Sequence, residues 1–179
     1  MHDLKIALES NSFTYLLQAM ESGSRPLGSE AEEKVALLRL FLYRDDIFYI
    51  TPTAKLEVSK IEDKLKLQAH NALESAHLGL LEIPDFEKVN KLAEFYQQFH
   101  SGKKNASDCK IVAEAEISKC DYLLSYDKKL VNKLLSKTEN LQIKYPSCYW
   151  SSLAIPKGVA PKWIPEHSNP LGKETWWVW

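Results

Sequence analysis

With 179 residues, 45% of them hydrophobic, and a formal net charge of -1, the chain can core one domain but lacks the global positive charge that draws proteins to nucleic acid. No apolar run reaches the length of a membrane span, and residues Met1 to Lys5 do not form the basic-then-apolar opening of a secretory signal, so a cytoplasmic protein without membrane contact is expected. Cys109, Cys120 and Cys148 have no CxxC spacing, which argues against a disulfide framework or a zinc site and predicts buried, reduced thiols.

Leu4 to Leu8 form a short apolar strand that runs into a helix near Asn11, the start of a βαβ unit. Gly23 to Gly28 break the chain, and Ser29 with Glu32 resembles a capping box ahead of Val35 to Leu42. That helix is apolar on most sides, so it is expected to be well packed or to support a homodimer. Ile47 to Ile50 suit a second strand. Thr51 then caps, and Pro52 opens, a helix reaching to about Leu78. Leu80 to Ile83 make a third strand, and Phe86 to Phe99 carry Val89, Leu92, Ala93, Tyr96 and Phe99 on one helical face.

Asn105 and Asp108 resemble a capping pair that puts Asp108 in the first turn of the next helix. Asp121 to Ser125 read as a fourth strand, Asp127 to Leu135 as a helix, and Leu141 to Tyr145 as a fifth strand. Such alternation predicts an α/β fold: a mainly parallel sheet of about five strands covered by helices on both faces. From Ser151 onward Pro156, Pro161, Pro165 and Pro170 alternate with Trp163, Trp176, Trp177 and Trp179. Residues 1–150 are therefore assigned to the domain and 151–179 to an irregular tail whose rings pack on the domain or on a partner. A base-stacking surface is the alternative.

Four acids stand where apolar segments end or helices begin: Glu9, Glu57, Asp108 and Asp127. Strand ends deliver side chains to the rim where open α/β sheets bind ligands. Carboxylates gathered there resist ionisation unless a cation neutralises them, and oxygen donors select Mg²⁺ or Mn²⁺ over zinc. Any one of these acids taken alone is as readily an ordinary solvated residue, and Asp108 also suits the helix dipole. Lys103 and Lys104 precede Asp108, and Lys128 and Lys129 follow Asp127. With Arg25, Arg39 and Arg44 they are candidates for a local patch on a nucleic-acid backbone. His70, Glu74 and His77 offer a weaker metal constellation on one helix face. No GxSxG elbow supports a serine hydrolase.

Taken in order, these segments resemble the PIN domain, a nuclease family that includes the ribonuclease toxins of bacterial toxin-antitoxin pairs. The stretch Ile6 to Leu16 is similar to the family's opening strand with its acid and Asn. Thr51 to Glu57 is similar to the helix that supplies a Glu. Asp108 to Asp127 is similar to the longest motif, in which an Asp opens a helix and a strand then ends in Thr or Ser, any residue, and Asp. The resemblance covers about Leu4 to Tyr145. It implies a three-layer α/β/α fold, Glu57, Asp108 and Asp127 as metal and catalytic residues, Asn11 and Ser125 as hydrogen-bonding supports, RNA as substrate and an antitoxin as partner. Glu9 stands where the family normally has Asp. It either serves as a modified fourth ligand or marks a weakened site, in which case the chain is a PIN-like module that binds RNA or a protein.

Overall fold

The computed structural model describes residues 4–102 and 105–179, with Ser22 described by its backbone alone. Five strands, β1 (Lys5–Leu8), β2 (Ile47–Ile50), β3 (Gly79–Leu80), β4 (Tyr122–Leu124) and β5 (Gln142–Lys144), form one sheet in the order β3-β2-β1-β4-β5. Every pairing is parallel, with Leu8 opposite both Ile50 and Leu124. Ile6, Ala7 and Leu8 on the central strand are fully buried, as a strand covered on both faces requires. Among the described residues eight α-helices complete the α/β/α layering: α1 (Ser10–Ser22), α2 (Ala31–Tyr43), α3 (Pro52–Val58), α4 (Lys64–His77), α5 (Phe86–Gln97), α6 (Ala106–Ile117), α7 (Lys128–Leu134) and α8 (Pro146–Ser152).

The strand order positions the site. From β1 the chain moves outward to β2 and β3, then returns across the sheet to place β4 on the other side of β1. The connections leave β1 and β4 in opposite directions, so a crevice opens beyond their C-terminal ends, the usual ligand position in open α/β sheets. Glu9 follows β1, and Ser125 to Asp127 follow β4, at that crevice.

Several local expectations are corrected. The helix expected from Pro52 to Leu78 is two helices, because the Asp63 carboxylate accepts hydrogen bonds from Leu65 N and Lys66 N and starts α4 afresh. The third strand is Gly79–Leu80 and not Leu80 to Ile83. Ser29 does not cap α2, whose N-cap is Glu30 without a side-chain cap bond, and Asn105 likewise precedes α6 without one. Thr51 does cap α3, accepting from Ala54 N at 3.1 Å. Of the cysteines, Cys109 and Cys120 are buried and Cys148 is exposed; all three are free.

The last stretch is more ordered than its prolines suggest. Helix α8 reaches Ser152, and Pro170–Lys173 form a 3₁₀ turn. The tail then lies across α1 and α2. Trp176 Nε1 donates to Gly23 O at 2.8 Å, and Arg39 Nε donates to Trp177 O at 2.9 Å. Trp179 donates through its backbone N to the Tyr43 hydroxyl at 2.9 Å and stacks edge-on against Trp150. Gly23 has a positive φ of 62°, and a Cβ there would meet Pro170 Cβ at 2.8 Å, so a side chain at this position conflicts with both backbone and tail. Leu37, Leu38, Leu40 and Leu42 are packed inside the domain, as expected of a helix apolar on most sides.

Candidate metal centre at the acidic edge

Glu9 is the N-cap residue of α1 and lies almost wholly buried. Its Oε1 accepts from Tyr126 N at 2.9 Å. Burial pushes this carboxyl up to about 7; hydrogen bonds from the Tyr126 N–H and Ser125 hydroxyl oppose the rise, while the charges of Asp108 and Asp127 add to it. Ser125 is fully buried and its Oγ also accepts from Asp127 N at 3.0 Å, so this one side chain ties the end of β4 to the next acid.

Asp127 caps α7, Oδ1 accepting from Lys129 N at 2.6 Å and Leu130 N at 3.1 Å. Asp108 stands in the first turn of α6. Burial raises its pKa first, and the Glu57 and Asp127 carboxylates raise it further against the opposing influence of His100. Glu57, on α3, is held from two sides, by the hydroxyls of Ser10 on α1 and Ser107 on α6. The four acids thus come from four separate stretches of chain, and Glu9 feels the charges of Asp108 and Asp127 while Asp108 feels those of Glu57 and Asp127.

The tightest group of donors among the described residues is nevertheless not these four acids. His100, Asp108 and Asp127 each offer a ligand atom within 4.8 Å of the other two, and His100 Nε2 lies 3.7 Å from Asp108 Oδ2. This group adds a nitrogen to the oxygen donors expected from the sequence. His100 is buried, and among the described residues neither ring nitrogen has a hydrogen-bond partner. A buried imidazole without a hydrogen bond, beside an Asp108 carboxyl that resists ionisation, fits a cation, which would satisfy both.

Beside Asp127 lies a groove of about 700 Å³, lined among others by Asn11, Tyr15, Tyr126, Lys128 and Lys129. Asn11, Lys128 and Lys129 are exposed on its wall. Glu30, Glu32 and Glu33 share that lining, so the groove is mixed in charge and not a basic track.

No protein-family model and no curated protein matches the chain. Among solved structures, it superposes on VapBC2 from Rickettsia felis, crystallised bound to a DNA fragment from its promoter, with a TM-score of 0.51 at 16% identity over 79% of this chain and 98% of that one. FitAcB from Neisseria gonorrhoeae matches with a TM-score of 0.47 at 18% identity over 79% and 97%. The fold is PIN-like.

Within this PIN-like fold, Glu9, Glu57, Asp108, Asp127 and Ser125 converge on the edge where β1 and β4 end, although only Asp108 and Asp127 enter the tight donor group. Lys103 and Lys104 lie outside the described residues. Arg39 is engaged by the tail and Arg44 by Asp46, leaving neither as part of a basic patch at the site. The His70, Glu74 and His77 constellation does not assemble: His70 bonds Thr14, Glu74 pairs with Lys55, and the His77 ring packs against Phe41. Sequence reading missed Ser10 and Ser107, which are separated from Glu57 by 47 and 50 positions. It also missed His100, whose one available signal was its place in the short connection leading to Asp108.

Proposed function

We propose that this chain is a metal-dependent ribonuclease that hydrolyses RNA phosphodiester bonds at the acidic edge, and that it acts as the toxin of a toxin-antitoxin pair. The observation that carries the reading is the convergence of Asp108 and Asp127, with Glu9 and Glu57 close enough to act on their charge, at the switch point of a parallel sheet. Asp108 and Asp127 would hold Mg²⁺ or Mn²⁺, with Glu57 and Glu9 completing the carboxylate set. When bound, such an ion supplies the positive charge that activates water and offsets charge growing on the phosphate oxygens.

The chain's own side chains do the rest. Two serine hydroxyls hold Glu57 from either side, so its carboxylate is pre-positioned either to bind the ion or to orient a water. Ser125 fixes the backbone of Asp127, and Asn11 stands on the groove wall beside it. Lys128 and Lys129 contribute phosphate contacts along the groove, with Lys103 and Lys104 assigned the same role; such contacts hold a backbone without reading its sequence. An antitoxin would silence the enzyme by covering this edge.

The test is cleavage of RNA by the full chain in Mg²⁺ or Mn²⁺. Asp108→Asn should reduce the rate by roughly 10²–10³-fold, the usual effect of removing one preorganised electrostatic group. Cleavage that survives both this change and chelation would reject the reading.

One observation favours a second reading, a catalytically weakened PIN-like module that binds RNA or a protein. Glu9 is buried with Oε1 already committed to the Tyr126 N–H, and burial favours its neutral carboxyl over the charged form that a ligand needs. Glu9→Asp separates the two: a working enzyme should change by less than about tenfold, whereas a weakened one should gain Mn²⁺ binding and cleavage.

A further inference from the structure

We infer that His100 is a direct ligand of the metal ion, which makes the centre a mixed nitrogen and oxygen site that prefers Mn²⁺ and later divalent metals to Mg²⁺. This rests on the metal-dependent reading above and goes beyond it by naming a ligand that the four-acid set lacks. The chain contains a control for the claim. His70 and His100 are both buried, at 0% and 1% exposure. His70 is a satisfied structural histidine, with Nε2 3.1 Å from Thr14 Oγ1 and Nδ1 2.7 Å from Lys66 O. Neither ring nitrogen of His100 has a hydrogen-bond partner among the described residues, and the Asp108 carboxylate stands 3.7 Å from its Nε2. Leaving a buried polar group unpaired costs about 1–3 kcal/mol, so an imidazole kept in that state calls for a partner from outside the chain.

Geometry identifies that partner. Two donors on one six-coordinate ion, each about 2.1 Å from it, stand about 3 Å apart when adjacent and about 4.2 Å apart when opposed. The 3.7 Å between His100 Nε2 and Asp108 Oδ2 lies between the two, within a small side-chain adjustment of either, and is too long for a good hydrogen bond. The Asp127 donor completes a triplet drawn from the α5–α6 connection, the first turn of α6 and the cap of α7. The backbone that carries this ring is anchored at both its N–H and its carbonyl. His100 N donates to Tyr96 O at 3.0 Å as the chain leaves α5, and the Cys109 thiol approaches His100 O at 3.7 Å. A nitrogen donor moves affinity away from Mg²⁺, which prefers oxygen, and toward first-row transition metals.

Pulsed electron paramagnetic resonance on the full chain loaded with Mn²⁺ tests this without reference to activity. The spectrum should show coupling to a directly bound ¹⁴N, and His100→Gln should abolish it while lowering Mn²⁺ affinity about tenfold and Mg²⁺ affinity much less. Should His100→Gln fail to fold, the wild-type nitrogen coupling is assigned instead by finding which of the five histidine rings Mn²⁺ broadens first in the nuclear magnetic resonance spectrum; a ring other than His100 overturns the inference. Mn²⁺ bound without nitrogen coupling, or coupling that persists in His100→Gln, also overturns it and leaves an all-acid centre standing. No Mn²⁺ binding at all removes the metal-dependent reading together with this one.

Discussion

The tryptophan tail and the acidic edge are both built from residues that resist burial, and folding has treated them in opposite ways. At the end of the tail three indoles find partners: Trp176, Trp177 and Trp179 donate their indole N–H groups to Gly23 O, Leu171 O and Ile155 O at 2.8, 3.0 and 2.7 Å, while Trp163 stays exposed. At the edge the groups are brought together and left in tension. Glu9 is driven up to about 7, Asp108 is raised by burial and then by its acidic neighbours, and His100 has no hydrogen-bond partner among the described residues. Satisfied polar groups mark structure, whereas costs that folding leaves in place mark a site awaiting a ligand.

The contrast can be broken or sharpened by experiment. The largest expected effect is in the tail. Trp177 is 5% exposed, and Trp177→Ala should cost about 3–5 kcal/mol, the usual range for deleting a buried aromatic ring, read as a lower urea midpoint. An unchanged midpoint would mean the tail contributes no more than an ornament on the surface, and the contrast would collapse.

Next comes the pH dependence of the metal-free protein. A buried carboxyl raised from 4.5 to about 7 binds its proton more tightly folded than unfolded. Its contribution is therefore fully present below about 4.5, declines as pH rises, and is lost above about 7, a change of about 3 kcal/mol across the window. Glu9→Gln should flatten that part of the stability profile measured by denaturant titration. A profile identical to wild type would show that Glu9 is not held as an unpaired acid.

The smallest effect is expected at Asp108. Asp108→Asn removes one charge from a repelling group, so the metal-free protein should melt a few degrees higher, the shift that about 1 kcal/mol produces in a domain of this size. Added Mn²⁺ should then stabilise the variant less than it stabilises wild type. A lower metal-free melting temperature would show that the acids at the edge are compensated and the tension absent.

Much of this was legible along the chain because it is encoded locally. The apolar run of Ile6 to Leu8, the Thr51-Pro52 helix start and the turn from β4 to Asp127 each carry their signal within a few residues. Where expectation failed, a local competitor had been overlooked: Asp63 offered α4 its own cap, so one long helix became two. The prolines of the tail keep it from a long helix, although Pro170 opens a 3₁₀ turn, and whether the tryptophans faced solvent, partner or domain depended on Gly23, Arg39 and Tyr43, more than a hundred residues away.

By itself the sequence determined an alternating α/β chain with acids at element ends, since periodicity and turn chemistry act over short distances. Only the tertiary structure decided which polar groups meet. It set β4 beside β1, brought Asp108 and Asp127 together, surrounded Glu57 with two serines, and turned His100 inward toward Asp108 without a hydrogen bond among the described residues. A donor set is a property of distances across the fold, and strand order, which no short stretch of sequence specifies, creates those distances.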